Sequence, residues 1–319
     1  MATAACVRRR QSRAPQPPDP RTSRRSRFVA TCLSHSSPTI RRCVFTADTA
    51  SAGSAIYCES NSSPVILDCS FLGNSGNGAL TLSGGSPTVA RCTFDGNVGG
   101  AGPAVYLTDA WPLFTNCVFV RNVAAYAGGA IASSGSTFRL EGCTFAWNVA
   151  TRGGGVFLSY QDSPRLGSCT FYGNRAANGA GLLCQAGDVQ IENSIIAFGA
   201  QGQAVECDDG QATFSCCDLY GNHGGDWVDC AAGQQGVNGN IHLDPAFCDA
   251  ANGDFDLEGN SPCRGHTPSA PDCDLMGAWP VGCASGVQTV GLSFPPSAVW
   301  VRPNPCSGSC RIFFNAGRA

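Results

Sequence analysis

The sequence is short of charge and has no lysine at all. Its 20 basic residues are all arginine, which we read as a bias of coding and not of mechanism. Charged residues make up only 13% of the chain, whereas glycine alone supplies 40 of its 319 residues. Few charges with much Gly, Ser, Thr and Asn suit an all-β, turn-rich protein better than a helical one. No apolar run is long enough to cross a bilayer, so no membrane span is expected. The N-terminus has no apolar stretch followed by a small-residue cleavage site, and so does not read as a secretory signal.

The charge that is present is unevenly placed. Residues 1–28 hold eight Arg against one acid, Asp19, with Pro at positions 15, 17, 18 and 20. Such a segment reads as a disordered tail. The remainder has 12 Arg against 22 Asp and Glu, a formal charge of −10. A body this acidic argues against nucleic acid as the main partner.

What the sequence has in abundance is a repeat. Ser-Pro-Thr-Ile-Arg-Arg-Cys-Val-Phe ends at Phe45, Ser-Pro-Val-Ile-Leu-Asp-Cys-Ser-Phe at Phe71, and Ser-Pro-Thr-Val-Ala-Arg-Cys-Thr-Phe at Phe94. Weaker copies end at Phe119, Phe145 and Phe171, and degenerate ones at Ile196 and Leu219. The marker column Cys43, Cys69, Cys92, Cys117, Cys143, Cys169, Ser194, Cys217 advances by 23–26 residues. A second column, from Ile56 through Leu80, Val105, Ile131, Val156 and Leu182 to Val205, keeps the same beat. Two independent columns with one period define a solenoid.

Within each unit the apolar stretches are short and alternate with period two, as in Val105/Leu107 and Cys92/Phe94, and no unit holds a helical pattern. Val89 and the pair Cys92/Phe94 have opposite parity, so the chain must turn a corner between them if all face inward. Asp68, Asn116, Gly142 and Asn193 stand just before the marker position, and these types tolerate the left-handed backbone of a tight corner. The unit therefore reads as three short strands, and the fold as an all-β, right-handed parallel β-helix of about eight coils. Coils stacked at about 4.8 Å would give a rod roughly 35–40 Å long. Phe45, Phe71, Phe94, Phe119, Phe145 and Phe171 would then form an internal aromatic ladder.

Asn follows the ladder residue at fixed spacing (Phe71–Asn74, Phe94–Asn97, Phe119–Asn122, Phe145–Asn148, Phe171–Asn174, Leu219–Asn222), and Gly-Gly-Ala-Ile (128–131) or Gly-Gly-Gly-Val (153–156) opens the next strand. This alternation resembles the repeat of polymorphic outer-membrane proteins, a branch of the pectate-lyase-like β-helices, over residues 38 to about 222. The resemblance implies a surface-displayed, adhesin-like role, although that family's C-terminal translocation barrel has no counterpart here. Residues 244–248, 253–257 and 261–263 look like the cap of many secreted bacterial β-helix proteins. Val301-Arg302-Pro303-Asn304-Pro305 and Cys310-Arg311-Ile312-Phe313-Phe314 are similar to the opening of a C-terminal sorting domain, which would make the chain a truncated product. The expected organisation is a tail (1–28), a β-helix (29–245), a Cys-rich cap (246–284) and a linker with the start of a sorting domain (285–319).

The 20 cysteines need an account. Seven lie in the marker column, and Cys58, Cys184 and Cys207 lie on the inward side of the second column. For these ten we expect buried, reduced thiols, which pack as small hydrophobes. Cys248, Cys263, Cys273 and Cys283 fall in the loop-rich cap, where staples substitute for core. Of three pairings, Cys263–Cys273 nested within Cys248–Cys283 is the preferred one. No C-x2-C pair supports a zinc site.

The fold raises the question of catalysis, which residues and not folds must answer. The best candidates are Glu206, Asp208 and Asp209, with His223 one coil later, since glycoside hydrolysis needs two carboxyls across one face. Yet the Asn-Thr-Asp, Gly-His-Gly and Arg-Ile-Lys patterns of polygalacturonases are missing. Acids in the middle of the rod (Asp95, Asp109, Glu141, Asp162) stand singly, so no calcium-binding cluster of the pectate-lyase kind forms there. His35, His223, His242 and His266 are isolated, without metal spacing. Asp249, Asp254 and Asp256 leave a weak calcium site open. Trp111, Trp147, Trp227, Trp279 and Trp300 are candidates to stack on sugars. The reading is a non-catalytic, extracellular or surface-displayed rod that binds an extended polysaccharide or protein. The alternative is a polysaccharide lyase or hydrolase, and no cofactor is called for.

Overall fold

The computed structural model describes residues 30–32, 36–59 and 61–283. The Arg-rich tail, the segment from 284 onward, His35 and Trp300 lie outside them. The chain winds into a parallel β-solenoid. In the fourth coil the strands are Val105–Thr108, Leu113–Thr115, Val118–Val120 and Val123–Ala127, here called the first to fourth faces. Each strand pairs in parallel with its equivalents one coil away, as in Val105↔Ile131, Val89↔Phe114 and Phe94↔Phe119. The third face stacks eight strands, from Val44–Thr46 to Asp218–Tyr220, which gives eight rungs and seven turns between them.

A coil thus has four sides where the sequence reading has three. The extra strand follows the repeated Asn and is poor in apolar residues, as in Ser75–Asn77 and Val98–Ala101, so no alternation betrays it. From Val149 onward it shrinks to single bridges. The corner before the marker position is left-handed at every rung: φ is +54° at Asp68, +52° at Asn116, +62° at Gly142 and +46° at Asn193. Arg42, Arg91, Ser168 and Cys216 take the same conformation. The corner is therefore imposed by the stack as a whole, and residue type only eases it.

Besides the aliphatic columns of the first and second faces, three columns fill the interior. The Phe rings stack face to face, with centroids 4.5–5.0 Å apart from Phe45 to Phe171. Ile196 and Leu219 continue the column and are buried. The marker cysteines are free thiols that donate to the carbonyl two residues back, as Cys69 does to Leu67 at 3.2 Å. Burial pushes the Cys117 and Cys143 thiols well above the usual range, so they are protonated, neutral groups. Next to them the buried Asn residues form a hydrogen-bonded chain. In Asn74, Asn97, Asn122 and Asn148 the amide nitrogen donates to the ladder carbonyl one coil back and to the following Asn oxygen; for Asn122 these bonds are 3.0 Å to Phe94 and 2.9 Å to Asn148. The Asn chain satisfies the backbone groups that a turn leaves free inside the core.

The far end of the core is closed by residues 227–231, where Trp227 meets Phe214 edge-on and Ala231 is buried. The segment after it folds back along the outside of the third face. Gly277 N donates to Asn193 O, Ala278 N to Thr170 Oγ1, and Trp279 Nε1 to Thr144 Oγ1 at 2.8 Å, stepping from the seventh coil to the fifth. Beneath it Ile195, Ala197, Ile241, Leu257, Cys263 and Met276 make a second, smaller core.

The cysteine expectations need correction in part. Cys248–Cys283 is a disulfide, as expected, but Cys273 pairs with Cys216 and Cys263 is a free thiol. The reason is the folding back: it brings Cys273 to the corner residue Cys216, a partner far away in sequence. Cys207 pairs with Cys230, and Cys58 is disulfide-bonded too, so neither belongs to the thiol stack. Cys184 does: it is buried and free.

Candidate binding face

The outward side of the first face is a regular surface that runs the length of the solenoid. Alternation along its strands sends Val105 and Leu107 inward and Tyr106 and Thr108 outward. Register then lines up Tyr57, Thr81, Tyr106, Ala132, Phe157, Leu183 and Glu206 in one outward row. Large rings occupy coils two, four and six, and smaller side chains separate them. Thr81 is covered because its hydroxyl binds the turn at Asn77 and Gly53, and Ala132 is buried. The half-buried aromatics thus recur every second coil, about 9.6 Å apart at 4.8 Å per coil. Beside them runs a polar row of Ser83, Thr108 and Ser134, ending at the buried Ser159. Two further rings flank the same coils at the corner beyond: Trp111, 52% exposed, on the fourth, and Tyr160, 78% exposed, on the sixth.

The corner that carries Tyr160 is fixed from below. Asp162 is fully buried, and its carboxylate accepts bonds from Ser159 N (2.7 Å), Ser136 N and Ser133 Oγ (3.1 Å). Burial without a cation pushes its pKa up to about 6 in spite of these donors. The sequence offers Asp162 only as a single acid; its tie to two coils is visible only in the structure.

At the C-terminal end the row becomes charged. Arg152 lies over the Phe157 ring at 5.3 Å and forms an ion pair with Asp208 two coils on. Leu183, between them in register, is fully buried. Glu206 Oε1 accepts from Asn178 Nδ2 at 2.7 Å, whereas its Oε2 is buried without a partner. Glu206 and Asp208 therefore do share the outward side, as the sequence suggests, but Arg152 and Asn178 occupy them. Asp209 and His223 are exposed, and the His223 ring meets no partner among the described residues.

The other candidates scatter. His242 donates to Leu219 O at 2.8 Å and lies 3.4 Å from Asp226, and His266 lies 3.4 Å from Asp274. Asp249 accepts from Asn252, and Asp254 from Asp256 N. Among the described residues, one trio of possible ligand atoms falls within 4.8 Å, Cys207, Asp229 and Cys230, and its two sulfurs are spent in a disulfide. Trp147 packs against Tyr172 and Phe255, and Trp227 and Trp279 are hydrogen-bonded, which leaves Trp111 open to solvent. A shallow cavity of about 480 Å³ lies where the folded-back segment meets the rod, lined by Tyr172, Phe198, Phe247 and the acids Asp244, Asp249 and Glu258. No helix among the described residues is long and apolar enough to cross a membrane.

Sequence reasoning misses Tyr106, Phe157, Tyr160 and Arg152. The signal for the first two was there: a ring follows the column residue in Ile56-Tyr57, Val105-Tyr106 and Val156-Phe157. No curated protein matches the sequence. The family model for the right-handed β-helix region matches residues 24–149 and 88–241, a span that holds all eight rungs of the stack. With the parallel register and the stacked interior, that match makes the chain a member of the right-handed β-helix family.

Proposed function

We propose that the chain is a non-catalytic rod, displayed outside the cell or on its surface, that holds an extended glycan against its first face. The observation that carries this reading is the recurrence of Tyr57, Tyr106 and Phe157 on alternate coils. A ring offers an apolar face for the C–H side of a sugar, and the hydroxyl row beside it offers hydrogen bonds. An extended β-linked glycan presents the same sugar face at every second residue, a repeat that rings on alternate coils can follow. An extended polypeptide repeats its same-side residues at about 6.6–6.8 Å and falls out of step with rings about 9.6 Å apart. The acidic body disfavours polyanions and so favours a neutral glycan.

The test is a panel of neutral and acidic polysaccharides scored for both binding and cleavage. Binding to a neutral glycan, lost in Tyr106→Ala/Phe157→Ala and without new chain ends, supports the reading. A second reading, a lyase or hydrolase working through Glu206, Asp208, Asp209 and His223, is kept open by the partnerless Glu206 Oε2. Release of reducing or unsaturated ends, abolished by Asp209→Asn, would establish it instead.

A further inference from the structure

The outward row of the third face runs Val44, Ser70, Thr93, Val118, Thr144, Thr170, Ile195 and then Asp218. The last is out of character: a carboxylate, fully buried, where the folded-back segment seats on the rod. Its Oδ1 accepts from Leu243 N at 3.2 Å and its Oδ2 from the Cys263 thiol at 3.3 Å. Cys263 is itself fully buried within the second core.

The groups able to carry charge at this seam are few. The rod contributes Cys217, the turn beyond contributes Asp226 and His242, and the folded-back segment contributes Cys263. His242 stands 3.4 Å from Asp226, and among the described residues no arginine pairs with Asp218. A buried carboxylate without a cation is costly when ionised, and taking up a proton relieves the cost.

We propose that one proton on Asp218 latches the segment 244–283 to the rod, so that the segment seats firmly in acid and loosens as the carboxylate ionises. Burial raises Asp218 to about 7, far above an ordinary carboxylate, and raises the Cys263 thiol well above its usual range. The sign follows from linkage. The seated state binds a proton that the open state releases between the ordinary carboxylate range and about pH 7. Seating therefore weakens as pH rises through that window and is constant above it. The Cys216–Cys273 disulfide keeps the segment tethered, so the motion is a lifting and not a release. It exposes the strip around Ile195 and the Cys263 thiol.

The experiment is hydrogen exchange of the full chain with disulfides intact, corrected for the pH dependence of chemical exchange and read on peptides covering residues 257–276. The opening constant should rise by up to about tenfold per pH unit towards pH 7 and then level. Asp218→Thr copies the residue of the fifth and sixth coils and should fold; it should flatten the profile, as should Asp218→Asn. His242→Gln should leave the profile sloped. A flat profile in the wild-type chain, a slope that survives both Asp218 variants, or a slope abolished by His242→Gln would overturn the proposal.

Discussion

Removing one amide from the Asn chain should destabilise the solenoid more than most single changes do. Asn122 is fully buried and holds three groups of neighbouring coils. Its Oδ1 accepts from Asn97 N at 3.0 Å and Asn97 Nδ2 at 2.9 Å, and its Nδ2 donates to Phe94 O at 3.0 Å. Asn148 Oδ1 keeps a donor, because Asn122 N also binds it. Asn97 Nδ2 likewise keeps its bond to Phe71 O at 3.1 Å, so Asn122→Ala strands two buried polar groups, Asn97 N and Phe94 O, each worth about 1–3 kcal/mol. The expected loss is about 2–6 kcal/mol, a large share of the roughly 5–15 kcal/mol of a typical domain. Asn122→Asp keeps both acceptor bonds but loses the donor and buries a charge, so it should be destabilised at neutral pH and partly recover in acid. Urea unfolding followed by circular dichroism measures both. A loss below about 1 kcal/mol for Asn122→Ala would refute the argument that the amide chain satisfies the interior.

Three further outcomes are expected. Phe119→Ala should cost about 3–5 kcal/mol in the same unfolding assay, since its ring fills the column between Phe94 and Phe145 at 4.9 and 4.6 Å. Alkylation of the folded chain at about pH 5, where the segment is seated, followed by peptide mapping should find Cys216–Cys273, Cys248–Cys283 and Cys207–Cys230 linked and Cys263 as an unreacted thiol; a Cys263–Cys273 peptide would contradict the structure. Asp162, raised to about 6, makes a contribution to stability that falls as pH rises from the ordinary carboxylate range to about 6. The pH–stability slope of the wild-type chain should therefore exceed that of Asp162→Asn across that window, and equal slopes would sink the assignment.

The sequence revealed what repeats and hid what happens once. The Phe and Cys columns were legible because each coil restates them, and the corner was legible from parity at Val89 and Cys92. The fourth face was not, because Ser75–Asn77 and Val98–Ala101 pack too little apolar surface to alternate. The path of the C-terminal segment was hidden for another reason. Its anchors, Thr144, Thr170 and Asn193, are unremarkable in sequence and become partners only when a chain more than 80 residues later returns to them. That return decides the Cys216–Cys273 bond, which spacing alone does not indicate. Of the proposed catalytic set, strand alternation placed Glu206 and Asp208 on one side, but the arginine that neutralises Asp208 comes from a turn two coils earlier.

The proposed glycan lies along the rod in step with its coils. This placement is tested most directly by the affinity of neutral β-linked oligosaccharides as a function of length, measured by titration calorimetry. Affinity should climb in steps, with a gain each time the chain grows long enough to reach the next ring of Tyr57, Tyr106 and Phe157. Replacing those three by Ala should erase the steps. Affinity that is independent of length, or oligosaccharides that emerge shortened from the calorimeter cell, would rule out a non-catalytic rod that holds a glycan in step with its rings.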